Sequence, residues 1–131
     1  MYPKPTDVLT RIKNGSLLPK IIISTLQHDE ILDERDSNAG FEAQWMRCYN
    51  LIEEKWQPAN IKQELITLKD DVRRESFLSV SLATNQHEIA SYVSDDFDLI
   101  IRGILLGIND EFLNSLWEAY NQNEIPTPQK K

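Results

Sequence analysis

Residues 94–108 have the sequence SDDFDLIIRGILLGI, which is the most strongly amphipathic stretch of this 131-residue chain. Its apolar side chains recur at spacings that place them on one face of an α-helix with 3.6 residues per turn. These are Phe97, Ile100, Ile101, Ile104, Leu105 and Ile108. Ser94 is a suitable helix N-cap, and Asp95 and Asp96 would then suit the positive end of the helix dipole. Gly107 marks the predicted end of this helix.

Similar patterns predict helices on both sides of this stretch. On the C-terminal side, Asn109 can cap a helix whose first turn holds Asp110 and Glu111. Its inward-facing residues would be Leu113, Leu116, Trp117 and Tyr120. On the N-terminal side, one apolar stripe comprises Phe41, Trp45, Cys48, Ile52 and Trp56, and another comprises Ile61, Leu65, Leu68 and Val72. Pro58 suits the first turn of the helix that carries the second stripe.

Three shorter segments are less clearly patterned. Residues 17–26 indicate a buried helix entered near Pro19, although the isoleucine triplet also allows a short strand. In residues 77–82, Leu78, Val80 and Leu82 alternate with serines as in a strand, but the neighbouring helices favour a helix. Residues 89–93 suggest a short separate helix. Periodicity alone does not separate helix from strand over so few residues.

The predicted fold is therefore all-α: a compact bundle of about six to eight helices with short connections. A chain of 131 residues fits a single domain, which we expect to span residues 1–131, with residues 1–5 and 126–131 loosely ordered. Forty per cent hydrophobic and 27% charged residues are ordinary values for a globular protein.

The chain has one cysteine, Cys48, so an internal disulfide is impossible and a reducing compartment is indicated. No apolar run approaches the roughly 20 residues that span a bilayer. Residues 1–13 lack the apolar segment of a secretory signal. These features predict a cytoplasmic protein without a membrane partner.

The net charge of −7 is unevenly distributed along the chain. Residues 1–85 hold thirteen acids and eleven bases, whereas residues 86–126 hold eight acids and the single base Arg102. A region so poor in bases is unsuited to binding nucleic acid, because phosphates require lysine and arginine. It would suit a basic partner.

The chain offers no convincing catalytic, cofactor or metal site. His28 begins a run of acids over residues 28–36, which we interpret as a solvated helix face, and His87 begins a predicted helix. Cys48 lies in the middle of an apolar stripe, where burial would keep its thiol protonated and inaccessible. Phosphate-binding loops, zinc spacings and calcium-loop patterns are also missing from the sequence. We therefore expect a protein that is not an enzyme.

The segment from Ser94 through Leu116-Trp117-Glu118-Ala119-Tyr120 to Ile125-Pro126 resembles small helical bacterial immunity proteins. These include the immunity proteins of contact-dependent growth inhibition systems. The resemblance covers about the last 40 residues and lies in an acidic start, a buried apolar helix and a following Leu-Trp-x-x-Tyr helix.

The resemblance implies that the chain neutralises a cognate toxin, commonly a nuclease, by covering its basic substrate cleft with an acidic surface. The partner-binding residues expected on charge alone are Asp95, Asp96, Asp98, Asp110, Glu111 and Glu118. The acidic run at residues 29–36 is a rival contact surface. A different possibility is a helical adaptor or regulatory subunit that docks a partner through an apolar groove.

Overall fold

The computed structural model describes residues 2–128, and between them the chain forms seven α-helices and no β-strand. The helices are α1 (Pro5–Lys13), α2 (Lys20–Ser24), α3 (His28–Ser37), α4 (Ala39–Ala59), α5 (Gln63–Thr84), α6 (His87–Leu106) and α7 (Glu111–Asn121). The prediction of a compact all-α fold is confirmed. Within the described residues, no helix combines the length and apolar character needed to cross a membrane.

Helix α6 is the centre of the bundle. It packs most extensively against α5 and also contacts α4 and α7, while α1 and α2 pack against α5. The predicted stripe is buried where the other helices surround it: Phe97, Ile100 and Ile101 have no exposed surface. Ile104 and Leu105 are half-buried, because the helix leaves the core near its C-terminus. As predicted, α6 ends at Gly107, whose φ of 69° is easily reached by glycine.

The predicted start of this helix at Ser94 is wrong. Helix α6 begins seven residues earlier, at His87, so Ser94 lies in its middle and donates its hydroxyl hydrogen bond to the carbonyl of Ser91 at 3.0 Å. Ile89, Ala90 and Val93 are fully buried, and they extend the apolar face of Phe97 toward the N-terminus without a break. Continuous burial of this face therefore outweighs the capping pattern of one serine followed by two acids.

Two other helix boundaries also differ from those predicted. The N-cap of α7 is Asp110 rather than Asn109, and its side chain accepts a hydrogen bond from the Leu113 amide at 3.1 Å. Pro58 lies in the last turn of α4 instead of the first turn of α5, and α4 ends at Asn60 in the left-handed conformation.

The ambiguous segments are helical. Residues 77–82 belong to α5, so the strand alternative is wrong, and residues 89–93 belong to α6 rather than to a separate helix. Helix α2 begins directly after Pro19, as predicted, but only Ile23 of the isoleucine triplet is buried, and Ile21 is 82% exposed. At the C-terminal end of the described residues, Ile125 and Pro126 are buried. The expectation of loose order for residue 1 and residues 129–131 lies outside the described part of the chain.

Gly103 allows α6 and α7 to approach closely. A β-carbon at this position would lie 2.4 Å from Cδ2 of Leu113. We predict that Gly103→Ala lowers the free energy of unfolding by about 1–3 kcal/mol through overpacking, as measured by urea denaturation. Leu113→Ala removes the clashing methyl groups, so the double variant should be more stable than the two separate losses predict. Additive losses would contradict this explanation.

Candidate functional site

The carboxylate of Asp96 is completely buried and joins four helices. Arg35 of α3 donates two hydrogen bonds to it, at 2.7 and 2.9 Å. The indole Nε1 of Trp45 in α4 donates at 2.9 Å, and the hydroxyl of Tyr120 in α7 donates at 2.6 Å. Since a carboxylate can accept about four hydrogen bonds, the capacity of Asp96 is filled by groups inside the protein.

The partners of Asp96 are adapted to this interior position. The guanidinium of Arg35 also faces the rings of Phe41 and Tyr92, at 4.8 and 5.3 Å from the ring centroids. Burial alone would lower the pKa of Arg35, but the charge and hydrogen bonds of Asp96 raise it above its ordinary value. Burial and the Asp96 charge raise the pKa of the Tyr120 hydroxyl, which remains a donor. This geometry favours a structural role for Asp96.

Asp98 is also enclosed by basic side chains. It forms ion pairs with Arg102 at 3.0 Å, Lys69 at 3.3 Å and Arg73 at 3.6 Å, and only 5% of its surface is exposed. Asp95 lies near this group and pairs with Arg73 at 2.5 Å, but its side chain is 43% exposed. Burial raises the pKa of Asp95 even though Arg73 acts to lower it.

The other three expected contact residues lie on α7 or at its N-terminus. Asp110 caps this helix and is bound by Arg47, which donates hydrogen bonds at 2.9 and 3.2 Å. Glu111 and Glu118 are exposed. The six expected residues are thus divided between the interior, a partly exposed site on α6 and the surface of α7, and they do not form one continuous acidic face.

The fold brings bases from elsewhere in the chain to three of the acids of residues 86–126. Asp95, Asp96 and Asp98 are paired with basic residues of α3 and α5, which come from the first 85 residues of the chain. Charge counted along the sequence therefore overstates the negative charge at the surface of α6. The spacing of Arg35, Lys69 and Arg73 in the sequence carries no signal that would reveal these long-range pairs.

Asp110 and Cys48 form a small polar contact under the start of α7. The thiol of Cys48 donates a hydrogen bond to Asp110 at 3.2 Å. The pKa of the thiol is raised to about 12, first by its burial and second by this hydrogen bond. A thiol held in its neutral form is a poor nucleophile. The burial predicted for Cys48 is confirmed, with 1% of its surface exposed.

Asp110 should make the stability of the protein depend on pH. The hydrogen bonds from Arg47 are the largest cause of its low pKa, which is about 2, with further contributions from the Leu113 amide and Cys48. Its stabilising effect should be complete above the unfolded-state pKa of about 3.9 and disappear as pH falls toward 2. We predict that Asp110→Asn, which retains a capping side chain but removes the charge that binds Arg47, costs about 1 kcal/mol at pH 7 and much less at pH 2.5. Urea denaturation at both pH values measures the difference, and an equal cost at both would contradict the assignment.

A dense cluster of exposed acids lies on α3 and the start of α4. Residues 28–46 contain six acids and one base, Arg35, which is buried against Asp96. The exposed acids are Asp29, Glu30, Asp33, Asp36 and Glu42, and Glu34 is half-buried. We call these six residues the α3–α4 acidic surface. Its position agrees with the interpretation of residues 28–36 as a solvated helix face.

A cleft with a volume of about 430 Å³ opens between α3, α4 and α6, at the edge of the α3–α4 acidic surface. Its apolar walls are Phe41, Trp45, Met46 and Tyr92, and its charged residues are Arg35, Asp36, Glu42, Asp95 and Asp96. We call it the α3/α4/α6 cleft. It combines aromatic rings with acidic side chains in one concave surface, as protein recognition sites often do.

Among the described residues, both histidines contact groups close to them in sequence. His28 Nε2 lies 2.7 Å from the carbonyl oxygen of Ile23, and His87 Nδ1 lies 2.8 Å from the hydroxyl of Ser81. Between Tyr2 and Pro128, no group of three histidine, cysteine, aspartate or glutamate residues could hold a metal ion.

Comparison with known proteins agrees with a role in binding another protein. No curated protein matches the chain at a significant level. The family model of immunity protein PIM1 matches residues 7–127, which extend from α1 to beyond α7. The protein therefore belongs to the PIM1 immunity protein family and is a toxin-neutralising immunity protein.

Proposed function

We propose that the protein neutralises a nuclease toxin by covering the basic substrate cleft of that toxin with the α3–α4 acidic surface. The toxin would be the product of a bacterial contact-dependent growth inhibition system, and neutralisation would take place in the cytoplasm. The family match supports a toxin as the partner. The resemblance of the C-terminal residues to immunity proteins of such systems supports the more specific assignment.

The observation that carries this proposal is the density of exposed acids over residues 28–46, with no exposed base among them. All its exposed charged side chains are acidic, because Arg35 is only 7% exposed and is bound to Asp96. The acids of α6 are instead largely neutralised by bases from α3 and α5. The α3–α4 acidic surface is therefore the stronger candidate for contact with a basic protein.

A nuclease cleft must be basic, because it binds phosphates. An acidic protein that occupies the cleft or covers its rim excludes the nucleic acid without any catalytic step. Complementary charge would accelerate association, and salt would screen this effect. A few buried apolar contacts would then determine the rate of dissociation.

A competition experiment tests this mechanism. The cognate toxin domain, sought in the genes that flank that of this chain, is produced in a catalytically inactive form and bound to a fluorescent oligonucleotide. We expect the protein to displace the oligonucleotide stoichiometrically, and the association rate to fall with increasing salt. A stable ternary complex of toxin, oligonucleotide and protein would contradict coverage of the cleft.

The exposed apolar residues offer a second candidate contact surface, on which a helix of the toxin would dock. Ile21 is 82% exposed, and Leu78 and Leu82 are 45% and 78% exposed on α5. Leu78 and Leu82 lie one turn apart on the same helix face. If this apolar face binds the toxin, Leu78→Glu with Leu82→Glu will abolish binding, whereas charge reversal at the α3–α4 acidic surface will be tolerated. The opposite pattern would favour contact through the acidic surface.

A further inference from the structure

The walls of the α3/α4/α6 cleft are suited to a long side chain. Trp45 and Tyr92 are half-buried, and Met46 exposes 41% of its surface there. Methionine and aromatic rings at a protein surface pack well against the methylene groups of another molecule. The cleft therefore offers apolar contact to the stem of an inserted side chain.

The charged residues of the cleft determine which side chain it would accept. Its single base, Arg35, is neutralised by two hydrogen bonds to Asp96. Three further carboxylates line the cleft, those of Asp36, Glu42 and Asp95. Glu42 is exposed and forms no ion pair with the residues between Tyr2 and Pro128. The lining thus has a formal charge of −3, four acids against one base. Asp95 is also paired with Arg73 outside the cleft, so an acid or a neutral side chain would leave the charges of Asp36 and Glu42 uncompensated.

We propose that the α3/α4/α6 cleft receives an arginine side chain of the toxin, with its stem against Met46 and Trp45 and its guanidinium at the carboxylates of Glu42 and Asp95. This inference rests on the proposed function and adds to it the chemical group that the cleft recognises. General charge attraction would bring the toxin to the α3–α4 acidic surface. Insertion of the arginine would then fix its position there.

Arginine fits this cleft better than lysine. Its planar guanidinium stacks on aromatic rings and can bond two carboxylates at once, whereas a lysine ammonium is a compact and strongly hydrated charge. The same chemistry already occurs inside the protein, where Arg35 lies between Phe41 and Tyr92 and binds Asp96. Burial raises the pKa of Asp95 more than Arg73 lowers it, so a second cation at this carboxylate would stabilise its charged form.

A double-mutant cycle tests the inference, with the same inactive toxin domain as the probe. Glu42→Gln retains the shape of the side chain and removes its charge, and each surface arginine of the toxin is changed in turn to glutamine. We expect one toxin arginine to couple to Glu42 by about tenfold or more in Kd. Glu54→Gln is the matched control, since Glu54 is exposed on the same helix and does not line the cleft.

The NMR signal of the Trp45 indole N–H gives a second readout. Because this N–H is bonded to Asp96 at the cleft, its resonance should shift on binding of the toxin. Replacement of the coupled arginine by glutamine should remove most of this shift, and replacement by lysine should restore only part of it. A tight complex in which no toxin arginine couples to Glu42 would overturn the inference and leave the proposed function intact. Absence of any complex would overturn both.

Discussion

Replacement of Asp96 by alanine should lower the free energy of unfolding by about 3–5 kcal/mol, because it leaves the buried charge of Arg35 without a partner. Trp45 and Tyr120 would also lose the acceptor of their side-chain hydrogen bonds. Domains of this size are typically stable by only about 5–15 kcal/mol, so the loss would be a large fraction of the total. Urea denaturation at pH 7 measures it.

Two further variants separate this explanation from a general effect of mutation. Asp70→Ala is the control, because the side chain of Asp70 is 61% exposed and its pair with Lys69 should contribute less than about 1 kcal/mol. Adding Arg35→Met to Asp96→Ala should recover part of the loss, since the uncompensated charge is then removed. A similar cost for Asp70→Ala and Asp96→Ala would show that Asp96 does not join the helices as described.

Charge reversal of the α3–α4 acidic surface should have the largest effect on toxin binding. The triple variant Glu30→Lys, Asp33→Lys, Glu42→Lys changes the local charge by six units on side chains that are all exposed. Because like charges across an interface cost several kcal/mol, we expect Kd to rise at least about a hundredfold, mainly through slower association. Surface plasmon resonance at two salt concentrations measures both rates.

A matched variant distinguishes the two acidic regions of the sequence. Glu111→Lys, Glu118→Lys and Glu124→Lys together make the same change in charge on exposed residues at and after α7. We expect a much smaller effect on Kd, and circular dichroism should show that both triple variants retain their helicity. A larger effect of the α7 variant would place the contact at the acidic region expected from the sequence.

Much of the fold could be predicted from the sequence, because helices with long apolar faces leave a periodic pattern. The stripe through Phe97 and Ile101 predicted the central helix, and Gly107 predicted its end. The start at Ser94 was wrong because a local capping pattern carries about 1 kcal/mol, less than the burial of Ile89 and Val93 in a continuous helix. Patterns of a few residues determine a boundary only when tertiary packing does not oppose them.

The contact surface was harder to predict for a related reason. The acids of residues 86–126 look unpaired in the sequence, but folding brings Arg35 to Asp96 and Lys69 to Asp98. The distances along the chain between these partners are 61 and 29 residues, and no local pattern connects them. Residues 28–36 were interpreted as a solvated face. Their exposed charge is acidic, because Arg35, the one base among them, is buried.

The most direct test of the proposed contact is hydrogen–deuterium exchange of the protein with and without its toxin. If the toxin binds at the α3–α4 acidic surface and the α3/α4/α6 cleft, amide exchange in residues 28–46 will be slower in the complex than in the free protein. The effect will be smaller around residues 92–95 and absent in α7. Protection confined to α7, with unchanged exchange in residues 28–46, would contradict the account.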